Sequence, residues 1–327
     1  MRPRHAVHPG IHQAVWGALG FLAVAVAALA MPPWLVSLAT IAFANALVVL
    51  GLVILWRTGL VPFGQALFYA IGAYAVALTG RFTPVRDVFL VVLAGAACAG
   101  IAAFLIGFLL ARYREIFFAM LSLAMSMILY GVLVKTEALG STDGIHVEAG
   151  TFFGLRPQGR ALNLAMFWLV LGFCAVSAGL VALFFGTVAG RLAAPARDNE
   201  IRLEFLGISV DRLIHLELVI SGILAGTGGA LAALAVAHVD PNMAYWTTSG
   251  GFVFVTILAG AGSVAAAFVG SFVFELMRSI AVDLFPDTWQ MTLGIALLLT
   301  ILFLPEGLGS VFRRLRRSPG ANPRAYP

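Results

Sequence analysis

The chain has 327 residues, of which 61% are apolar and only 11% charged, with a mean hydropathy of +1.00. Soluble domains run at roughly 45–50% apolar residues, so a water-soluble globule is excluded. A bilayer is implied, because a helix of about 20 apolar residues crosses it with every backbone polar group satisfied internally. The net charge of +5 is carried mainly by arginines spread over short loops, with no nucleic-acid-binding module beside them. That charge reads as membrane orientation.

Ten apolar runs follow in order, and the length of the chain therefore serves many crossings rather than several domains. A short arm, residues 1–14, carries Arg2 and Arg4 and precedes a first run at about Val15 to Met31. This run ends in Ala28-Leu29-Ala30, a pattern shared with cleaved secretory signals, but its length favours an anchoring helix. Further runs lie at Leu35 to Trp56, Val61 to Leu78, Val88 to Leu110, Phe117 to Val134 and Leu164 to Gly186. The last four are His215 to Ala237, Tyr245 to Gly260, Val264 to Val282 and Met291 to Phe303. Only Gly260-Ala261-Gly262-Ser263 separates the eighth from the ninth, which leaves either two crossings or a re-entrant pair. The fold expected is an all-α polytopic helical bundle of about ten spans (eight to ten). It comprises a transmembrane domain at 15–304 and a basic tail at 305–327.

With the N-terminus inside, most basic residues fall on the cytoplasmic side, among them Arg57, Arg112, Arg114, Arg191, Arg197, Arg202, Arg212 and Arg313. The outer loops keep only Arg81, Arg86, Lys135, Arg156 and Arg160. This asymmetry places both termini in the cytoplasm. The 35 glycines include Gly222, Gly226, Gly228 and Gly229 in one run, where small residues let helices approach closely in lipid.

Several chemistries are missing. A phosphate-binding Gly-x-x-x-x-Gly-Lys-Ser/Thr loop needs a lysine, and the sole lysine, Lys135, follows Val134. The two cysteines, Cys98 and Cys174, sit apart in apolar runs and read as small fillers rather than metal ligands or a disulfide. The six histidines read as solvated or interfacial, and Ser263 has no base nearby in sequence, so an enzyme is not expected. Within the runs the charged residues are Glu217, Glu275 and Arg278. The last two are three apart, on one helical face, and read as an intramembrane ion pair.

Three stretches carry a resemblance. GLVPFGQALFYAIGAYAVAL from Gly59 opens on glycine and proline before an apolar helix, and RYREIFFAMLSLAMSMILYGVLVKTEALGSTDGI runs from Arg112 to Ile145. RLAAPARDNEIRLEFLGISVDRL runs from Arg191 to Leu213. Together they resemble the longer of the two paired membrane subunits of branched-chain amino-acid ABC importers. SGILAGTGGALAAL from Ser221, TSGG from Thr248 and LFLPEGL from Leu302 extend the likeness over nearly all the chain after Leu35. Departures stand at Pro62 for Ser, Glu115 for Gly, and Ala259 and Ala266 near expected Gly and Pro.

The resemblance implies a permease in the bacterial inner membrane that forms half of a solute pathway. It implies a homologous permease partner, two ATPases that hold the ATP and Mg, and an extracytoplasmic solute-binding protein. The cargo is a branched-chain amino acid or, by the family's breadth, urea, amides or aromatic acids; an ion-coupled secondary carrier is the competing class. The loop at 190–213, with Arg197, Asp198, Asn199, Glu200, Glu204 and Gly207, is expected to couple to the ATPases as a short helix bounded by Pro195 and Gly207. The broken start with Gly64, Gln65, Gly72 and Tyr74 is expected to shape the pathway. The outer turn with Thr142, Asp143 and Gly144 is expected either to meet the binding protein or to serve as a tight turn.

Overall fold

The computed structural model describes residues 9–83, 86–148, 150–152, 154–260 and 264–303. The linker at 261–263 and the tail at 305–327 lie outside the described residues, as does most of the N-terminal arm.

Twelve helices make up the described chain: α1 (Pro9–Ala30), α2 (Pro33–Arg57), α3 (Gln65–Phe82), α4 (Val88–Leu110), α5 (Glu115–Lys135) and α6 (Arg160–Gly186). They continue as α7 (Val188–Asp198), α8 (Glu200–Phe205), α9 (Val210–Val236), α10 (Trp246–Ala259), α11 (Val264–Leu284) and α12 (Trp289–Phe303). The protein is an all-α polytopic membrane bundle. Six helices, α2, α4, α5, α6, α9 and α11, are long and apolar enough to cross a membrane on their own, fewer than the ten runs. α3, α10 and α12 have 18, 14 and 15 residues, or about 27, 21 and 22 Å at 1.5 Å per residue, against a hydrocarbon core of about 30 Å.

α2 and α9 form the centre. Leu47, Val48, Val49, Leu50, Leu52, Val53, Ile54 and Leu55 are fully buried, so α2 is apolar all round because it is surrounded by protein. α9 packs against α2, α3 and α4 through its glycines. A Cβ on Gly222 or Gly226 would strike Ala103 or Ala99 of α4, and one on Gly229 would strike the Tyr69 carbonyl of α3. Gly228 faces Ala44 and Val48 of α2. These small residues bring four backbones close, which is how helices associate where lipid supplies no hydrophobic drive.

Two ends of the bundle follow from the contacts. One gathers the ends of α2, α4 and α6, the starts of α5 and α9, and the α7–α8 segment; it holds Arg57, Arg114, Arg191, Arg197, Arg202 and Arg212. The other carries a two-stranded antiparallel ribbon, β1 (Ile145–His146) paired with β2 (His238–Val239). There Arg81 donates to the Ala138 carbonyl at 3.2 Å.

Glu115 starts α5 with φ +50°, a left-handed conformation that glycine adopts freely and L residues adopt at a cost of about 1–2 kcal/mol. This is the position where the family resemblance expects Gly. Glu115→Gly is accordingly expected to raise the thermal midpoint of the purified protein slightly, through a stabilisation of no more than about 1 kcal/mol. A lowered midpoint would show that the carboxylate, not the backbone, matters there.

Two readings of the sequence are corrected. Both ring nitrogens of His215 are buried and have no hydrogen-bond partner, so it is not a solvated residue. The ring packs against Phe104 and Phe108, with centroids 5.2 and 4.4 Å away. Cys98 is exposed on the apolar face of α4, whereas Cys174 is a buried filler whose Sγ reaches the Phe43 carbonyl at 3.3 Å.

Candidate translocation and docking site

Between α2 and α3 the chain enters the bundle as coil. Thr58 donates its hydroxyl to Oε2 of the fully buried Glu217 on α9, and Oε1 of that carboxylate has no partner. Gly59 then takes φ +84° against the side chain of Arg197. The coil continues to Phe63, whose N–H donates to Ser122 Oγ of α5 at 3.1 Å. Gly64 lies on the Ser122 backbone with no space for a Cβ. The Gln65 amide nitrogen donates to Ser221 Oγ of α9, while its Oε1 is buried and unpartnered. Ser122 is seven residues into α5 and Ser221 eleven into α9, so α3 begins about 10–16 Å inside the bundle.

α10 also begins at depth, entering from the opposite end. After β2 the turn Pro241–Ala244 leads inward, where the Ala244 carbonyl accepts from Ser126 Oγ of α5 at 2.8 Å. The Tyr245 ring lies 4.9 Å from that of Tyr130. Ser249, in the first turn of α10, accepts from the Ala66 N–H at 3.0 Å. Two short helices thus present their N-termini to each other at mid-depth, and a stripe on α5, Ser122, Ser126 and Tyr130 at spacings of four, holds both. Helix N-termini carry partial positive charge from unpaired N–H groups and attract anionic groups in a cavity.

The expected pathway residues do not form one group. Gly64 and Gln65 belong to this junction. Gly72 sits one helical stretch away, where a Cβ would overlap the Gly226 carbonyl, which makes it a helix-crossing residue. Tyr74 is buried with an unpartnered hydroxyl. The serines were not singled out in the sequence, yet Ser-x-x-x-Ser-x-x-x-Tyr in an otherwise apolar run is the pattern that marks one polar helical face.

The segment expected to couple to the ATPases forms two short helices rather than the single one expected between Pro195 and Gly207. Pro195 lies in the last turn of α7, because Thr187 caps that helix by accepting from Gly190 N–H at 3.3 Å. Asn199 breaks the chain and caps α8 by accepting from Arg202 N–H at 3.0 Å. Gly207, at φ +80°, ends α8: its N–H donates to Glu204 O and that of Ile208 to Leu203 O, a Schellman closure. Arg197, Asp198, Asn199 and Glu204 are exposed, and Glu200 is half-buried. Ala196 and Leu203 turn inward onto a core that includes Leu110, Phe118 and Ile214, and Gly190 and Ala193 of α7 are also buried. The outward face carries large apolar residues, Ile201, Phe205 (88% exposed) and Leu206.

At the other end Ser141–Asp143 is a 3-10 turn with Thr142 and Asp143 exposed. Gly144 at φ +74° lets the backbone pass the Val239 carbonyl, so it serves the ribbon. On α11 the Arg278 guanidinium lies 3.5 Å from Glu275 Oε1.

The profile of the family described as "Branched-chain amino acid transport system / permease component" matches residues 34–304. The chain belongs to this permease family. LivM of Escherichia coli, named a high-affinity branched-chain amino acid transport system permease protein, is 28% identical over 84% of this chain and 69% of its own. LivH of the same organism is 25% identical over 44% of this chain and 46% of its own. BraD of Pseudomonas aeruginosa is 24% identical over 40% and 42%. No solved structure matches the chain. Family membership makes the protein a transport permease, and both broken helices and the α7–α8 segment lie inside the matched region.

Proposed function

We propose that this chain is the longer membrane subunit of an ATP-driven importer of branched-chain amino acids, seated in the bacterial inner membrane with both termini cytoplasmic. The ten apolar helical runs make about ten crossings, the arginine-rich end facing the cytoplasm in accord with the positive-inside rule. A homologous permease completes the pathway, and two ATPases supply ATP and Mg chemistry that this chain lacks. An extracytoplasmic binding protein delivers the solute to the ribbon end, near Thr142 and Asp143. At mid-depth the facing N-termini of α3 and α10 suit the solute carboxylate, and the free Oε1 of Gln65 suits its ammonium.

The observation that carries this reading is the apolar ridge Ile201, Phe205 and Leu206, exposed on a charged segment outside the long spans. Large apolar side chains on such a helix fit a groove on a soluble partner. Phe205→Asp is expected to leave the protein inserted and to reduce co-purification of the ATPases at least about tenfold, since interface anchors commonly cost 2 kcal/mol or more. Undiminished ATPase capture by this variant would remove α8 from the docking surface.

A further inference from the structure

Arg114, the residue just before α5, has every arm of its guanidinium engaged. Nε donates to both oxygens of Glu200 at 2.7 and 2.9 Å, and Nη2 donates to Asp211 Oδ1 at 2.7 Å. Nη1 donates to the carbonyls of Ala111 and Tyr113 at 2.5 and 3.1 Å. Glu200 opens α8 and Asp211 lies in the first turn of α9, so one cation gathers the starts of α8 and α9 onto the α4–α5 turn. Among the described residues no other cation pairs with two carboxylates. The side chain is 25% exposed, and the fork geometry is that of a planar, charge-assisted contact that an ammonium does not reproduce.

We propose that Arg114 is the positioning residue through which displacement of α8 reaches the mid-depth junction. α8 cannot separate from the start of α5 without breaking at least two charge-assisted bonds, so the two move as one body. α5 in turn holds the α3 entry through Ser122 and the α10 entry through Ser126. The route is therefore α8, Arg114, α5, serine stripe, broken helices. It rests on the docking role of α8 proposed above.

The test uses the assembled transporter, both permeases with their ATPases and binding protein, in proteoliposomes with labelled leucine. Arg114→Ala and the shape-preserving Glu200→Gln are each expected to keep ATP hydrolysis within about twofold while uptake per ATP falls at least about tenfold. The double variant should be no worse than either single one, because residues of one network are not additive. Arg114→Lys should recover part of the coupling. Parallel loss of hydrolysis and uptake in both single variants, additive losses in the double, or wild-type uptake per ATP in Glu200→Gln would overturn the proposal. Wild-type protein that retains no ATPase on purification would instead refute the docking reading, and the relay with it, before any variant is made.

Discussion

Gly72→Val is expected to cost most of the folded protein, not only its transport. A Cβ at this position overlaps the Gly226 carbonyl of α9, and the Gly72 carbonyl itself stands 2.9 Å from where a Gly95 Cβ would be on α4. The three atoms nearest the added carbon are all Gly226 backbone, so no side-chain rotation relieves the overlap; whole helices must part. In a bilayer the separated helices gain no compensating burial, because lipid tails are as apolar as leucine, and the loss of contact is uncompensated. Overpacking against adaptable side chains costs about 1–3 kcal/mol, and here the penalty should exceed about 4 kcal/mol, the range reserved for gross core defects. Gly80→Val, in the same helix with nothing within 4 Å of the added carbon, serves as the control and should behave as wild type. Size-exclusion profiles and thermal midpoints of detergent-purified protein read the difference. A Gly72→Val protein as abundant and stable as the control would disprove the three-helix contact.

Hydropathy made the apolar runs legible, yet it could not rank them by position. The most apolar 18-residue stretches of α2 and α4 share a mean hydropathy of 2.6, yet 89% of the first and 39% of the second is buried. The scale measures escape from water, and lipid and protein interior provide that equally well. Gly59, Pro62 and Gly64 marked a broken opening, but periodicity did not locate the start of α3 at Gln65, because the groups that fix it are distant: Ser122 for Phe63, Ser221 for Gln65 and Ser249 for Ala66. The spacing on α5 marks Ser122 as part of a polar face, but what these serines hold was illegible, since their bonding partners lie from 59 to 183 residues away. At the proposed docking segment a short helix ending at Gly207 was readable, but Pro195 misled: proline fits the first turn of a helix, and Thr187 had already begun this one. Arg114 counted only as one more inside charge, because nothing local announces that Glu200 and Asp211 return to it.

Gly64→Val is expected to abolish uptake while leaving the protein in the membrane. The residue has φ −116° and ψ 16°, near the bridge region that L residues do enter, so space rather than a left-handed backbone demands glycine here. An added Cβ meets the Ser122 carbonyl and stands 2.9 Å from its Cβ. Unlike Gly72, Gly64 ends a coil that can yield, so the strain goes into moving the α3 start rather than into parting long helices. That movement pulls Phe63 from Ser122 and Ala66 from Ser249, the two bonds that hold the opposed helix N-termini in register. A misplacement of about 1 Å at a binding constellation can cost on the order of a hundredfold in rate. Leucine uptake by the assembled transporter should therefore drop far more than the amount of inserted protein. Ser122→Ala, which removes the acceptor for Phe63 N–H without adding bulk, should give an intermediate loss. Normal uptake by Gly64→Val at wild-type expression would take the junction out of the solute pathway and leave it a packing feature, because a binding junction does not keep its rate when the helix start it is built on is displaced.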